Sequence, residues 1–250
     1  MKITFIHHSS FLVEMEENIF LFDYFQGGIV KDHHFMGVLP KLSHEKNIYI
    51  FASHKHKDHF DMNILKLAQL YNNIHFVFSK DCKMTTNFLK KHGFDTSVTE
   101  LITYVSPDRD YTIANIDIHT LKSTDIGVAF CIKAEGRHIY HAGDLNWWHW
   151  EGSEDAENIR RETIFKLEME KIKNEHFSLA FVPLDSRQKE NAFKGFGYFM
   201  ENIHADYVFP MHMWQDYSLI QQYKDLKNNS DFTRRIMNIT KENQIFEFTE

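Results

Sequence analysis

The chain has 250 residues, 43% hydrophobic and 25% charged, with 28 Lys and Arg against 35 Asp and Glu for a net charge of −7. These are globular proportions with enough apolar material for a sizeable core. Without a Lys/Arg block they exclude a sequence-independent grip on nucleic acid, which needs a basic surface. In chain order, "KITFI", "FLVEME" and "IFLFD" read as three short strands, with turns at "HHSS" and "EEN". "NIYIFA" is a β-rich run that ends at a cluster of histidines. "DMNILKLAQLYN" then spaces Ile64, Leu67, Ala68 and Tyr71 at i, i+3, i+4, i+7 behind Asp61, which predicts a capped helix. Strand "IHFVFS" follows, then a helix through "KMTTNFLKKHG" closed by Gly93.

The middle of the chain is β-rich again: "YTIANIDIHTL", "VAFCIKA" and "RHIYHA". A charged helix is predicted from near Ser153 to about Glu175, burying Phe165, Met169 and Ile172. Strand "LAFVPLD", a helix near Glu190 to Ile203, strand "DYVFP", a helix near Asp216 to Lys227 and strand "QIFEFTE" complete the chain. There is no repeat, linker or low-complexity segment, so one domain over residues 1–250 is expected. The order of elements predicts an α+β protein with two mixed sheets packed face to face and helices outside.

No apolar run approaches the roughly 18 residues that cross a bilayer, and "MKITFIHHSS" has no long apolar h-region. Cys82 and Cys131 form no C-x-x-C pair and imply no disulfide framework. A reduced, cytoplasmic protein is the expectation. The 17 histidines are the compositional oddity, and pairs such as His33-His34 read as surface clusters.

Candidate chemistry concentrates in "FASHKHKDHFD", residues 51–61. In an extended chain residues i and i+2 share a side, so His54 and His56 can face one ion. Asp58 and His59 follow as the chain turns and can reach a second. Neutral imidazole with carboxylate suits Zn²⁺ or a neighbouring first-row metal. Two more strand ends offer ligands: "IYHAGDLN", where Gly143 lets the backbone turn before Asp144, and "YVFPMHMW", with His212.

H-K-H-K-D-H at 54–59, G-D at 143–144 and P-M-H at 210–212 resemble the metal motifs of the metallo-β-lactamase superfamily, in order and rough spacing, over nearly the whole chain. "HHSSFLVE", "LFDYF" and "FVPLD" are similar to its ascorbate-6-phosphate lactonase group. The resemblance implies a four-layer αββα sandwich in which His54 and His56 bind a first metal. Asp58, His59 and His212 would bind a second, and Asp144 would bridge the two. The family's further histidine ligand is missing: its place before Gly127 holds Ser123-Thr124-Asp125. Asp125 or a hydroxyl could replace it, His119 could reach in from an earlier position, or the first site could be weak or empty. Asp125 or water filling the gap is the favoured reading, with a mononuclear second site as the alternative.

Such a site implies a hydrolase that uses metal-activated hydroxide on a small ester, lactone or phosphodiester, with Asp58 orienting the hydroxide. One or two zinc ions are expected, with manganese or iron as other candidates. His8 in the first turn, Trp148 and His149 after Asp144, and Arg187 in "PLDSRQ" are the candidate substrate-binding residues. The expected partner is a small molecule, with no nucleic acid and no membrane, and association into a homo-oligomer left open. Two other readings remain: a nucleic-acid-processing member of the superfamily, or a non-catalytic metal sensor with a degenerate first site.

Overall fold

The computed structural model describes residues 1–228 and 231–248. Two compact units account for the chain: Met1–Ser106 together with Glu242–Glu250, and Pro107–Lys241. Neither crossing point has linker-like composition, which is why the sequence reads as one uninterrupted domain. The fold class is α+β with two large mixed sheets, as the order of elements predicts.

The first unit begins with β1 (Lys2–His7), β2 (Ser10–Glu14) and β3 (Asn18–Phe22), an antiparallel meander. A two-stranded ribbon follows, β4 (Gly28–Val30) and β5 (His33–Phe35), which the sequence reading missed. Its turn residues Lys31 and Asp32 both take positive φ, the geometry favoured in tight hairpins. β6 (Asn47–Ala52), β7 (Ile74–Ser79) and β8 (Ile102–Val105) then run parallel to β3 and to one another. The last strand, Gln244–Glu247, pairs antiparallel with β1. Every residue of β3 is buried, as expected of a strand covered on both faces.

The segment after the histidine cluster corrects one expectation. Met62–Gln69 forms a 3-10 helix rather than an α-helix, although Asp61 caps it as predicted by accepting from the Asn63 amide. Only Ile64 and Leu65 need burying, and a tighter helix seats two side chains as well as an α-turn would. α1 (Thr86–Lys91) follows with Thr85 as its cap, and the chain turns out of it through Gly93 at φ +78°.

In the second unit β9 (Asp110–Ile113), β10 (Ile116–Lys122), β11 (Val128–Ala134) and β12 (Arg137–His141) pair antiparallel. α2 (Asp155–Ile172) buries Phe165, Met169 and Ile172 as predicted. β13 (His176–Pro183) and β14 (His204–Met211) then extend the sheet in parallel, with α3 (Phe193–Asn202) between them and α4 (Ser218–Leu226) after. Among the described residues no helix is long and apolar enough to cross a membrane.

One topological fact positions the chemistry. In each unit the parallel strands end on the same edge of their sheet, and in such sheets ligands gather outside the carboxyl ends of the strands. β3 runs out into Asp23 and β6 into Ser53-His54, and the Asp23 amide donates to the Phe51 carbonyl at 2.9 Å. β12 runs out into Gly143-Asp144, β13 into Asp185 and β14 into His212.

Candidate metal centre

In the first unit the motif 54–59 forms a tight knot. His59 and Phe60 donate their amides to the His56 carbonyl at 3.0 and 2.9 Å, folding the loop back on itself. His54 Nε2 lies 3.0 Å from His56 Nδ1, a hydrogen-bond distance, so the i, i+2 pair stands side by side. The ligand atoms of His8, Asp58 and His59 lie within 4.8 Å of one another. His54, Asp58 and His59 are buried, while His56 is exposed.

Asp23 organises this knot. Its carboxylate accepts from the Ser53 amide at 2.7 Å and the Ser53 hydroxyl at 2.6 Å, and meets His59 Nδ1 at 2.8 Å. Nδ1 of His59 is thereby committed to Asp23, and Nε2 is the atom available to a metal, the carboxylate–histidine pattern that fixes tautomer and ring orientation. Asp23 adopts φ +45°, which short polar residues such as Asp tolerate best. The Lys31 ammonium stands 3.6 Å from Asp58. His7, beside His8, is pushed down to about 4 by burial, against the pull of its hydrogen bond with the Phe25 carbonyl, and so stays neutral at physiological pH.

The second unit repeats the pattern. His212 Nδ1 meets Asp185 at 2.9 Å, and its Nε2 stands 3.4 Å from Asp144. Burial alone would raise the Asp185 carboxyl, but hydrogen bonds from His212 and Arg187 outweigh it and hold it well below the usual carboxylate range. Arg187 grips Asp185 through Nε and Nη2 and lies over the Trp214 ring, 4.4 Å from its centroid. The Trp214 indole donates to the same carboxylate at 3.3 Å.

Asp144 is fastened by its own loop. The Trp148 indole donates to the Asp144 carbonyl at 2.9 Å, and the Trp148 ring packs edge-on to His212 at 5.6 Å. The Thr124 hydroxyl donates to the Asn146 carbonyl at 2.7 Å and accepts from the Asn146 amide at 3.0 Å. This ties the loop between β10 and β11 to the Asp144 loop. It also brings Asp125 to Asp144, with ligand atoms inside 4.8 Å. His119 instead hydrogen-bonds Asp110 on the neighbouring strand at 2.7 Å. His149 is half-buried.

A family model described as a β-lactamase superfamily domain matches residues 2–212. The chain belongs to that superfamily. A search of curated proteins gave no match. Among solved structures, a possible metal-dependent hydrolase from Veillonella parvula has a TM-score of 0.59 at 10% identity, over 98% of each chain. The metallo-β-lactamase fold protein YhfI from Bacillus subtilis has a TM-score of 0.53 at 15% identity, covering 98% of this chain and 99% of YhfI. CmlA, a diiron β-hydroxylase from Streptomyces venezuelae, has a TM-score of 0.51 at 11% identity, over 85% of this chain and 44% of CmlA, so the chain spans less than half its length. At these identities the likeness is one of fold. On the superfamily's frame, sequence reasoning named the ligand-type residues and passed over Asp23, Asp185 and Ser53, which hold them, and it read the Thr124 hydroxyl only as a possible ligand rather than as the anchor of the Asp144 loop. The available signal was an aspartate directly after an apolar strand, in "LFDYF" and "FVPLD".

Proposed function

We propose that the protein is a metal-dependent hydrolase of a small ester, lactone or phosphodiester, using one or two ions held by its histidine and aspartate side chains. The donors of the first unit are His54, His56, Asp58 and His59; those of the second are Asp125, Asp144 and His212. The observation that carries this reading is the carboxylate behind an imidazole in each unit, Asp23 on His59 and Asp185 on His212. A histidine bound only for packing has no need of a buried anion to select its tautomer. The grouping of Asp58 with His59 in the first unit, and of Asp125 with Asp144 in the second, supports it further. Imidazoles with carboxylates and no thiolate fit zinc, and manganese or iron would also be accepted.

When bound, such ions supply hydroxide near neutral pH and polarise a carbonyl or phosphoryl oxygen. The chain's own residues do the rest. Asp58 orients the nucleophile, and the Lys31 ammonium stands beside it. Trp148 keeps Asp144 and His212 in place and excludes water behind them. In the first unit a cavity of about 680 Å³ adjoins the ligand loop, lined by Lys55, Lys57, Phe60, Met62, Met84 and Phe88 among others. Its volume suits a small molecule, and its mixture of apolar surface with lysines suits a substrate that carries both an apolar part and an anion. That mixture, together with "HHSSFLVE", favours a place near the ascorbate-6-phosphate lactonase-like group, in the cytoplasm. Cys82 and Cys131, both buried free thiols, suit that compartment.

His59→Ala or His212→Ala should remove one equivalent of metal by elemental analysis and abolish turnover on a panel of lactones and phosphodiesters. Turnover retained in both variants would end the proposal, and metal bound by the native protein without turnover on any substrate would favour the sensor reading. Asp125→Ala should weaken one ion alone, by at least ~100-fold, the upper end of effects from residues outside the ligand set. Unchanged metal affinity in a competitive chelator titration would remove Asp125 from the ligand set.

A further inference from the structure

We propose that His8 is a metal ligand: it joins Asp58 and His59 on one ion, so that the first unit alone presents three donors to it. The inference rests on the reading above that the site holds metal, and it reassigns His8 from a substrate contact to the metal shell.

Histidine–carboxylate pairs in this molecule show two spacings, the longer of which also occurs at the surface, in His138–Glu175 at 3.5 Å. His59 meets Asp23 at 2.8 Å, His119 meets Asp110 at 2.7 Å, and His212 meets Asp185 at 2.9 Å, all hydrogen-bond lengths. His8 Nε2 and Asp58 Oδ2 are 3.7 Å apart, too far for a good hydrogen bond. With bonds of about 2.0–2.2 Å, two ligands of one tetrahedral ion lie roughly 3.3–3.6 Å from each other. The His8–Asp58 separation lies just beyond that range, so a small closing movement would aim the two donors at a common point. The other ligand-type pair, His212 Nε2 and Asp144, shows the same kind of spacing at 3.4 Å.

The backbone is bent to deliver this imidazole. The ladder between β1 and β2 shifts register between Phe5 and His7, a local irregularity of the kind that re-aims side chains at strand ends. His8 then takes φ +50°, a conformation unfavourable for a non-glycine residue and concentrated at functional sites. The result is a ring 2% exposed, edge-on to His59 at 5.7 Å and backed by Phe25 and Phe35 at 6.4 and 5.4 Å. Two aromatic walls leave the side towards Asp58 and His59 for its polar contacts. A turn that only needed to reverse direction would take glycine or asparagine at this φ, without the burial cost of an imidazole.

The test is His8→Gly, a residue at ease at φ +50°, with the thermal midpoint as a check on folding. Cobalt(II) is titrated into native and variant protein, read by bound-metal stoichiometry and the visible ligand-field spectrum. The variant should lose affinity for one of the two ions by at least ~100-fold, the upper end of effects from merely outer contacts, with a changed spectrum. Millimolar imidazole should restore both, because it refills the vacated position. An unchanged dissociation constant and spectrum in a folded His8→Gly protein would overturn the role of His8 alone. Failure of the native protein to bind cobalt would overturn the metal-site reading beneath it.

Discussion

Asp23→Asn is expected to lower metal affinity at the His59 position by ~10–100-fold, with a matching fall in turnover, while leaving the fold recognisable. Asparagine keeps the shape and tolerates the φ of +45° that Asp23 adopts. It also keeps one oxygen, which can still accept from the Ser53 amide. What changes is the atom facing His59 Nδ1, now an amide N–H₂ that can only donate. Nδ1 must then become the acceptor, and the ring proton moves to Nε2, the nitrogen a metal needs bare. The variant should also unfold more easily by about 1–3 kcal/mol, the cost of a mispaired buried polar group. Chelator competition measures the first effect and denaturant unfolding the second. If affinity is unchanged while stability falls, Asp23 is a folding residue and not a positioning residue for the metal ligand.

Gly195→Ala should cost about 1–3 kcal/mol of stability and reduce turnover as well, for a reason confined to one contact. A Cβ at this position of α3 would stand 1.8 Å from Asn146 Oδ1 and 2.9 Å from the Trp147 amide nitrogen. The Asn146 side chain can rotate aside only within a buried space, and the Trp147 amide nitrogen can retreat only by moving the loop that carries Asp144 and Trp148, which Thr124 pins through the Asn146 backbone. Gly197→Ala, two positions along the same helix, is the internal control. Its added Cβ meets only Tyr223, at 3.6 Å, an ordinary contact. There the better helix propensity of alanine should prevail and stabilise by up to about 1 kcal/mol. Thermal unfolding of the two variants side by side should move in opposite directions. Equal shifts would show that the Asn146 contact does not constrain the loop.

The ligand-type residues were legible in the sequence because their chemistry is local: H-x-H-x-D-H at a strand end has few structural uses. The residues that position them were not, because their roles depend on pairing between distant segments. Nothing in "LFDYF" says that Asp23 will sit beside Ser53; that follows from β3 and β6 running parallel with Phe22 opposite Phe51. Asp185 and His212 meet for the same reason, through the pairing of β13 with β14. The strands themselves read well from their apolar runs. The ribbon of β4 and β5 escaped because its strands, "GIV" and "HHF", are three residues each, too short for a period of two to show in the sequence. Arg187 is a further instance: its side-chain chemistry suggested an anion, but the anion it holds within its unit is Asp185.

The alignment of β13 with β14, Pro183 opposite Met211, has a further effect. Sliding one strand past the other by a single residue would displace Asp185 from His212 by ~3.3 Å and turn the side chains to the opposite face. A chain threaded wrongly at that seam loses the anion that orients its imidazole. Because a ligand stabilises only the state that binds it, an ion held as proposed would favour correctly aligned molecules over misaligned ones.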